Sequence, residues 1–400
     1  MGRRAGSERP PGRPSLLLAP ATFFEGYDTF VLALALPLIR KDFHLTVGRA
    51  GLMASIVFAG SFGVFALLPL ADRLGRRPVL AVTIAGYTVA TFATAFSRGV
   101  VDFVLYQFVA RFFLSAEYTL ATIVVVETAE PARRGRALGF LTSTSALGQA
   151  AAGAGFLVVL SLHASWRVLY LVGILPLVLV ARARKDLPET APPGSTPRVP
   201  LRSLPRPWVL GTGALVFLYS LFPSAVTTLA STLVLDTWKL SVSDLRPWHF
   251  AVWLVAVGGF FVAGRLLDRW GRRPTAILFL FSASVAGAFA FTASTTTGRV
   301  LGLALVIFTL TGTTPCVAAF STELFPIGVR GRVGAWLRGM AIVGQAAAPA
   351  AATLLAGPVG GLGPALAVVG TSYAAGAAVV YFLLPETLVR PEGSERSEPG

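Results

Sequence analysis

Along this chain the apolar residues gather in long runs and the polar ones in short clusters between them. Runs of about 20 residues, enough to cross a hydrocarbon core of roughly 30 Å, recur throughout. They occupy residues 16–39, 48–70, 78–97, 101–126, 137–161 and 168–181, then 208–235, 247–267, 275–294, 299–322, 333–356 and 362–384. The pattern predicts an all-α integral membrane protein of twelve transmembrane helices, six in each half. One substantial break separates the halves: Arg184, Lys185, Arg198, Arg202 and Arg206 stand among prolines and read as a polar linker. The expected organisation is a cytoplasmic tail over 1–14, a six-helix bundle over 15–181, a cytoplasmic linker over 182–207, a second bundle over 208–388 and a tail over 389–400.

The polar clusters repeat. Asp72-Arg73-Leu74-Gly75-Arg76-Arg77-Pro78 returns 196 residues later as Asp268-Arg269-Trp270-Gly271-Arg272-Arg273-Pro274. Glu127 and Arg134-Gly135-Arg136 return as Glu323 and Arg330-Gly331-Arg332, and Gly148-Gln149 as Gly344-Gln345. Leu187-Pro188-Glu189-Thr190 returns one residue late as Leu384-Pro385-Glu386-Thr387. A repeat of this length implies two similar half-molecules, related by a pseudo-two-fold, rather than an array of small units. Duplicated halves in a membrane protein are the mark of a transporter. Small residues between Gly148 and Gly155, and between Gly344 and Gly357, predict close helix packing in both halves.

Composition agrees: 54% of residues are hydrophobic and 13% charged, against roughly 25% charged in soluble domains. The net charge of +15 would fit a nucleic-acid binder, yet most of the 34 Lys and Arg lie in segments on one side of the predicted spans. That is the positive-inside bias of a membrane protein with both termini in the cytoplasm, and it removes nucleic acid as a partner. Arg40, Lys41 and Arg49, in the first outer loop, run against it. Arg3, Arg4, Arg9 and Arg13 precede an apolar run too long for a signal peptide, so this run reads as a retained first helix. Cys316 is the sole cysteine, so neither a disulfide framework nor a cysteine metal cluster is expected, and packing is its expected role. His44, His163 and His249 are isolated, and no G-x-x-x-x-G-K phosphate loop occurs. The chain is therefore expected to be no enzyme, to carry no cofactor or metal, and not to hydrolyse ATP.

The motifs resemble those of the major facilitator superfamily. Gly264 to Arg273 fits that family's G-x-L-x-D-R-x-G-R-R loop, and the first copy keeps Asp72, Arg73, Gly75, Arg76 and Arg77 with Leu68 in place of the first Gly. The resemblance implies a cytoplasmic gate of Asp72, Arg73, Arg76, Glu127 and Arg134 in one half and Asp268, Arg269, Arg272, Glu323 and Arg330 in the other. Gly26-Tyr27-Asp28-Thr29, Trp166-Arg167, Glu323-Leu324-Phe325-Pro326, the two Pro-Glu-Thr closures and Ser115-Ala116-Glu117-Tyr118 are similar to the sugar-porter and metabolite:proton symporter branches. The sugar-binding pattern of helix seven is absent; that region reads Leu221-Phe222-Pro223-Ser224-Ala225-Val226-Thr227. Ala318 replaces the expected helix-ten tryptophan, and of the two helix-five glutamines only Gln149 has a counterpart, Thr142 holding the other place. A hexose substrate is thereby put in doubt.

Charge within a spanning helix costs roughly 2.5–3.5 kcal/mol on insertion scales. The first half carries Glu25, Asp28, Arg111 and Glu117 within predicted spans; their repeat-equivalents are Leu221, Ser224, Ile307 and Thr313. Glu25 and Asp28 share one face of the first helix, and two carboxylates so close cannot both ionise cheaply. The resemblance implies proton coupling by Asp28 with Arg111, although the family's arginine position falls on Gln107 and Arg111 stands one turn later. Glu117 lies about 240° around the helix from Arg111 and reads as a second protonation site, a substrate contact or a neutral interhelical carboxyl. Gln149 and Gln345 read as substrate contacts or interhelical hydrogen bonds.

The resulting expectation is a secondary active transporter working by alternating access, resident as a monomer in the lipid bilayer of a bacterial cytoplasmic membrane. The family branch implies uptake of a proton with a small polar metabolite, an organic acid or a sugar-like compound. Two other readings remain open: an exporter of the same family, though its Gly-Pro motif in helix five is absent, and a non-transporting membrane receptor.

Overall fold

The computed structural model describes residues 13–128, 134–172, 204–239, 255, 258–325 and 327–387. Most of the expected tails and linker, and parts of the sixth and eighth predicted segments, lie outside these residues. Every described stretch is helix or short connection, with no strand among the described residues. In chain order the helices are α1 (Arg13–Asp42), α2 (Val47–Ala59), α3 (Gly63–Leu74), α4 (Arg76–Thr94), α5 (Val100–Thr128), α6 (Arg134–Ser161), α7 (Arg167–Leu171) and α8 (Arg206–Thr232). They continue as α9 (258–270), α10 (Arg272–Thr292), α11 (Thr296–Glu323), α12 (Ile327–Leu355) and α13 (Leu362–Leu383). Seven of the described segments are long and apolar enough to cross a membrane. Helix α5 carries Arg111 and Glu117, and α12 is diluted by Gly, Ala and Gln.

The second predicted span is not one continuous helix. A 3-10 turn, Gly60–Phe62, separates α2 from α3. There the backbone runs hard against α5: a Cβ on Gly60 would stand 2.5 Å from the Phe108 carbonyl oxygen, and one on Gly63 would stand 2.4 Å from that of Phe112.

The helices form two compact units, Met1–Ser195 with Thr227–Val242, and Thr196–Val226 with Ser243–Gly400. Helix α8 therefore begins in the second unit and ends in the first. Within the first unit α1 packs along α6, α4 along α5, and α2 and α3 against α5. The α1–α6 contact is set by glycine. A Cβ on Gly148 would lie 1.8 Å from the Phe23 carbonyl oxygen, and one on Gly26 would lie 2.0 Å from that of Ser145. No real side chain tolerates such distances, so the two backbones touch because both positions lack a side chain. At one end of this unit Phe43, Phe103, Trp166 and Tyr170 stack edge to face. Asp42 closes that end by accepting from Trp166 Nε1 at 3.1 Å and from Arg167 Nη1 at 2.7 Å.

In the second unit α10 packs between α11 and α13. Phe222 of α8 fills the space left by Gly287 and Gly370 and meets the rings of Phe291 and Tyr373. Gly344, the repeat-equivalent of Gly148, likewise admits a backbone: its Cβ would stand 2.6 Å from the Phe217 carbonyl oxygen.

Replacing Gly148 with valine is expected to destabilise the protein by about 1–3 kcal/mol through overpacking. Gly334→Ala, where a Cβ meets nothing within 4 Å, is expected to be neutral or stabilising by up to about 1 kcal/mol. Thermal melting of the purified protein in detergent separates the two.

Candidate functional site

The glycine contact between α1 and α6 sets the geometry of a polar cluster inside the first unit. It brings Ser145 of α6 onto Glu25 of α1, and the Ser145 hydroxyl donates to Glu25 Oε2 at 2.9 Å. One helical turn along α1, Thr29 donates to the other oxygen, Oε1, at 3.3 Å. Asp28 faces a different helix: the Thr91 hydroxyl of α4 donates to its Oδ2 at 3.2 Å. Glu25 and Asp28 thus share a helix yet are held by different neighbours.

Arg111 of α5 closes the cluster. Its guanidinium lies 4.9 Å from the centre of the Phe58 ring, and its Nη1 donates to Thr29 Oγ1 at 3.5 Å. Both Arg111 and Asp28 are buried, and Asp28 feels the charges of Arg111 and Glu25. Gln107, at the position where the family resemblance places an arginine, donates instead to Thr94 Oγ1 at 3.0 Å. Glu117 is 0% exposed, and both of its carboxyl oxygens, like Oδ1 of Asp28, have no hydrogen-bond partner among the described residues. Glu25 and Asp28 lie within its electrostatic reach. A buried carboxyl oxygen without a donor carries a penalty on the order of 1–3 kcal/mol. Such an atom is open to a proton or to a donor group on a ligand. Gln149 is half-buried on α6, one residue past Gly148.

In the second unit the positions equivalent to the buried charges are neutral. Ser224 donates to the Gln345 backbone oxygen at 2.8 Å, and Tyr219 shares a 3.0 Å hydrogen bond with Thr314. The Gln345 side chain is half-buried.

The charged motif of the second unit forms a connected network. Gly271 holds φ +107° at the junction of α9 and α10, a conformation that favours glycine, and Gly75 holds φ +95° at the equivalent place between α3 and α4. The turn exposes the first amides of α10, and the Glu386 carboxylate accepts from the backbone N–H of Arg272 at 2.8 Å and of Arg273 at 2.9 Å. A carboxylate at a helix N-terminus satisfies orphan donors and the helix dipole together. Arg272 reaches across to Glu323 at the end of α11, with Nε 3.1 Å from Oε2, and Thr387 donates to that same oxygen at 2.6 Å. Asp268 is largely exposed and lies 3.7 Å from Arg272, and Arg269 is exposed. In the first unit Arg73 is exposed. The side chains of Asp72, Arg76, Glu127, Arg134 and Arg330 lie outside those the structure describes.

Residue patterns pointed to the charges but not to the hydroxyls that hold them. Thr29 stands in the Gly26-Tyr27-Asp28-Thr29 motif without an assigned role, and Ser145 and Thr91 carry no motif; the spacing of Ser145, one turn before Gly148, is the signal for the face that meets α1. Glu386 and Thr387 were signalled by the repeated Pro-Glu-Thr closure, whose role was not assigned. The first copy of that closure lies outside the described residues.

Comparison with known proteins follows this geometry. The sequence model of the Major Facilitator Superfamily matches residues 18–313 and 248–399. The niacin transporter of Acinetobacter baylyi is 25% identical over 82% of this chain and 84% of its own. The sialic acid transporter of Escherichia coli is 24% identical over 92% of both chains. Among solved structures, a D-xylose-proton symporter superposes with a TM-score of 0.75 at 17% identity, covering 93% of this chain and 98% of that one.

Removing the Glu386 carboxylate, as in Glu386→Ala, is expected to cost about 1 kcal/mol, the scale of a helix N-cap. Hydrogen exchange at the first amides of α10 is expected to accelerate while that of α1 is unchanged.

Proposed function

This chain belongs to the Major Facilitator Superfamily and is a multi-pass membrane transporter rather than an enzyme, and from that premise we propose that it takes up a small organic acid together with protons by alternating access. The observation that carries this reading is one buried arginine, Arg111, bonded to Thr29 and acting on the buried Asp28, in the unit that also buries Glu117. A guanidinium presents a donor fork matched to a carboxylate. The proteins named niacin transporter and sialic acid transporter carry compounds that are carboxylic acids, and the neutral face of the second half lacks the sugar-binding pattern. The D-xylose-proton symporter supports the proton as the coupled ion.

In this mechanism Asp28 and the substrate compete for Arg111. With Asp28 ionised, the arginine is neutralised from within. A proton arriving on Asp28 frees the guanidinium for the substrate carboxylate, so the loaded site again carries a balanced charge and passes through the bilayer cheaply. Glu25 is held by Ser145 and Thr29 and keeps the arginine oriented in the empty site. Glu117, with no donor among the described residues, is the place for a second proton. Gln149 and Gln345 line the pathway as polar contacts. Asp72, Arg73, Arg76, Glu127 and Arg134, with Asp268, Arg269, Arg272, Glu323 and Arg330, form the cytoplasmic gate. The bundles over 15–181 and 208–388 rock about the central site, with both termini in the cytoplasm of a bacterial cell and a single chain sufficient.

The charge count decides what drives uptake. One proton with one monovalent anion moves no net charge, so accumulation follows the pH gradient, at about 1.4 kcal/mol per unit. A second proton makes the cycle electrogenic and adds roughly 2.3 kcal/mol per 100 mV.

A thermal-shift screen of the purified protein against aromatic and aliphatic carboxylic acids, polyols and sugars is expected to yield stabilising hits among the acids alone. A polyol or sugar as the only hit would overturn the substrate class. In liposomes, Asp28→Asn is expected to abolish uptake driven by an imposed pH gradient while sparing counterflow exchange; unchanged concentrative uptake would remove Asp28 from the coupling.

A further inference from the structure

The three cations that break the charge bias, Arg40, Lys41 and Arg49, stand at the wrong end of the helices for topology, and two of them have a partner. Arg40 and Lys41 close α1. Facing them is Asp236, in the π-helical turn Leu233–Thr237 that ends α8. Arg40 Nη2 lies 2.6 Å from Asp236 Oδ2, and Lys41 Nζ lies 3.2 Å from Oδ1, so each carboxylate oxygen takes one cation. The Asp236 side chain is 14% exposed and that of Arg40 is 20% exposed. Arg40 Nη1 also donates to the Leu45 carbonyl, which ties the guanidinium to the turn after α1. Two residues before the π-helix, Ser231 donates to the Ala33 carbonyl oxygen of α1.

The π turn aims the aspartate. Its wider ring, closed by the Trp238 N–H on the Leu233 carbonyl at 2.8 Å, turns Asp236 toward α1 and leaves Trp238 buried. Single π turns of this kind occur mostly at functional positions. The segment from Thr227 belongs to the first unit although α8 starts in the second, so the ion triad and the Ser231 hydrogen bond fasten the far end of a helix rooted elsewhere. Arg40 and Asp236 are 196 residues apart, which makes them equivalent positions of the repeat.

We propose that Arg40, Lys41 and Asp236 form an outer latch that parts in every transport cycle, making these three residues part of the machinery that opens the site to the outside. A carboxylate shared by two cations, mostly withdrawn from water, holds the end of α8 on α1. Opening the outer side separates them and returns Arg40 and Asp236 to water, which Lys41 already faces. The latch is thus strong enough to bias the closed arrangement and cheap enough to release. This proposal rests on the alternating-access reading above but not on the substrate or the coupled ion.

The test reads accessibility rather than transport. In full-length protein with Cys316→Ser, the reporter is Thr232→Cys, at a residue 2% exposed whose hydroxyl has no hydrogen-bond partner among the described residues. Cells are treated with a membrane-impermeant maleimide. Asp236→Asn is expected to raise the labelling rate about fivefold, the population shift of a partly buried ion pair lost. Lys41→Gln, at an exposed ammonium that leaves the fold intact, is expected to raise it less. Exchanging the charges, Arg40→Asp with Asp236→Arg, is expected to bring the rate back toward the parent. Parental labelling in both Asp236→Asn and Lys41→Gln would overturn the latch, as would a charge exchange no better than Asp236→Asn. Liposome uptake by the parent protein separates the readings: raised labelling in the variants with no proton-driven uptake by the parent keeps the latch and removes the coupling, and proton-driven uptake by the parent with unchanged labelling in the variants does the reverse.

Discussion

The free energy of a charge in hydrocarbon is the constraint on which the rest of this molecule depends. A bilayer admits long apolar helices readily and penalises each ionised group by several kcal/mol unless a partner or water accompanies it. The chain answers in two ways. Most charges are placed at helix ends, where they form networks such as Arg272 with Glu323 and Glu386 with the start of α10. Among the described residues the charged side chains that are buried, Asp28, Arg111 and Glu117, lie in one unit, where Arg111 and Glu25 act on Asp28.

Packing serves that chemistry. The hydroxyl of Ser145 reaches Glu25 because Gly26 and Gly148 let α1 and α6 touch backbone to backbone. Side chains at those two positions would push α6 away, and Glu25 would lose the Ser145 donor. Gly271 plays a corresponding part at the other kind of site: its positive φ leaves the α10 amides free for Glu386, and a Cβ there would stand 2.7 Å from the carboxylate oxygen. The same residue type thus supports the buried cluster through closeness and the charged network through backbone conformation.

Most of the helices were legible from hydropathy, because a span is a local property of about 20 residues. The charged turns were legible from the repeat, but the positive φ that Gly75 and Gly271 share was not drawn from it. The interruption of the second span at Gly60–Phe62 was not, since it follows from pressure by α5, which no local pattern records. Thr91 and Ser145 escaped for a related reason: neutral hydroxyls are common in such helices, and only the tertiary arrangement selects these two. Arg40 and Lys41 were visible as exceptions to a rule, but Asp236, the residue that explains them, lies far along the chain in a π turn with no sequence signature.

That ion pair also says something about descent. Arg40 and Asp236 are equivalent positions in two copies of one ancestral half, and they touch. In a symmetric pair of identical halves, a residue at this place would meet its own copy, arginine against arginine or aspartate against aspartate. Complementary charge became available here only once both copies lay in one polypeptide and were free to diverge. This contact is therefore younger than the duplication, whereas the repeated charged motif is as old as the half itself.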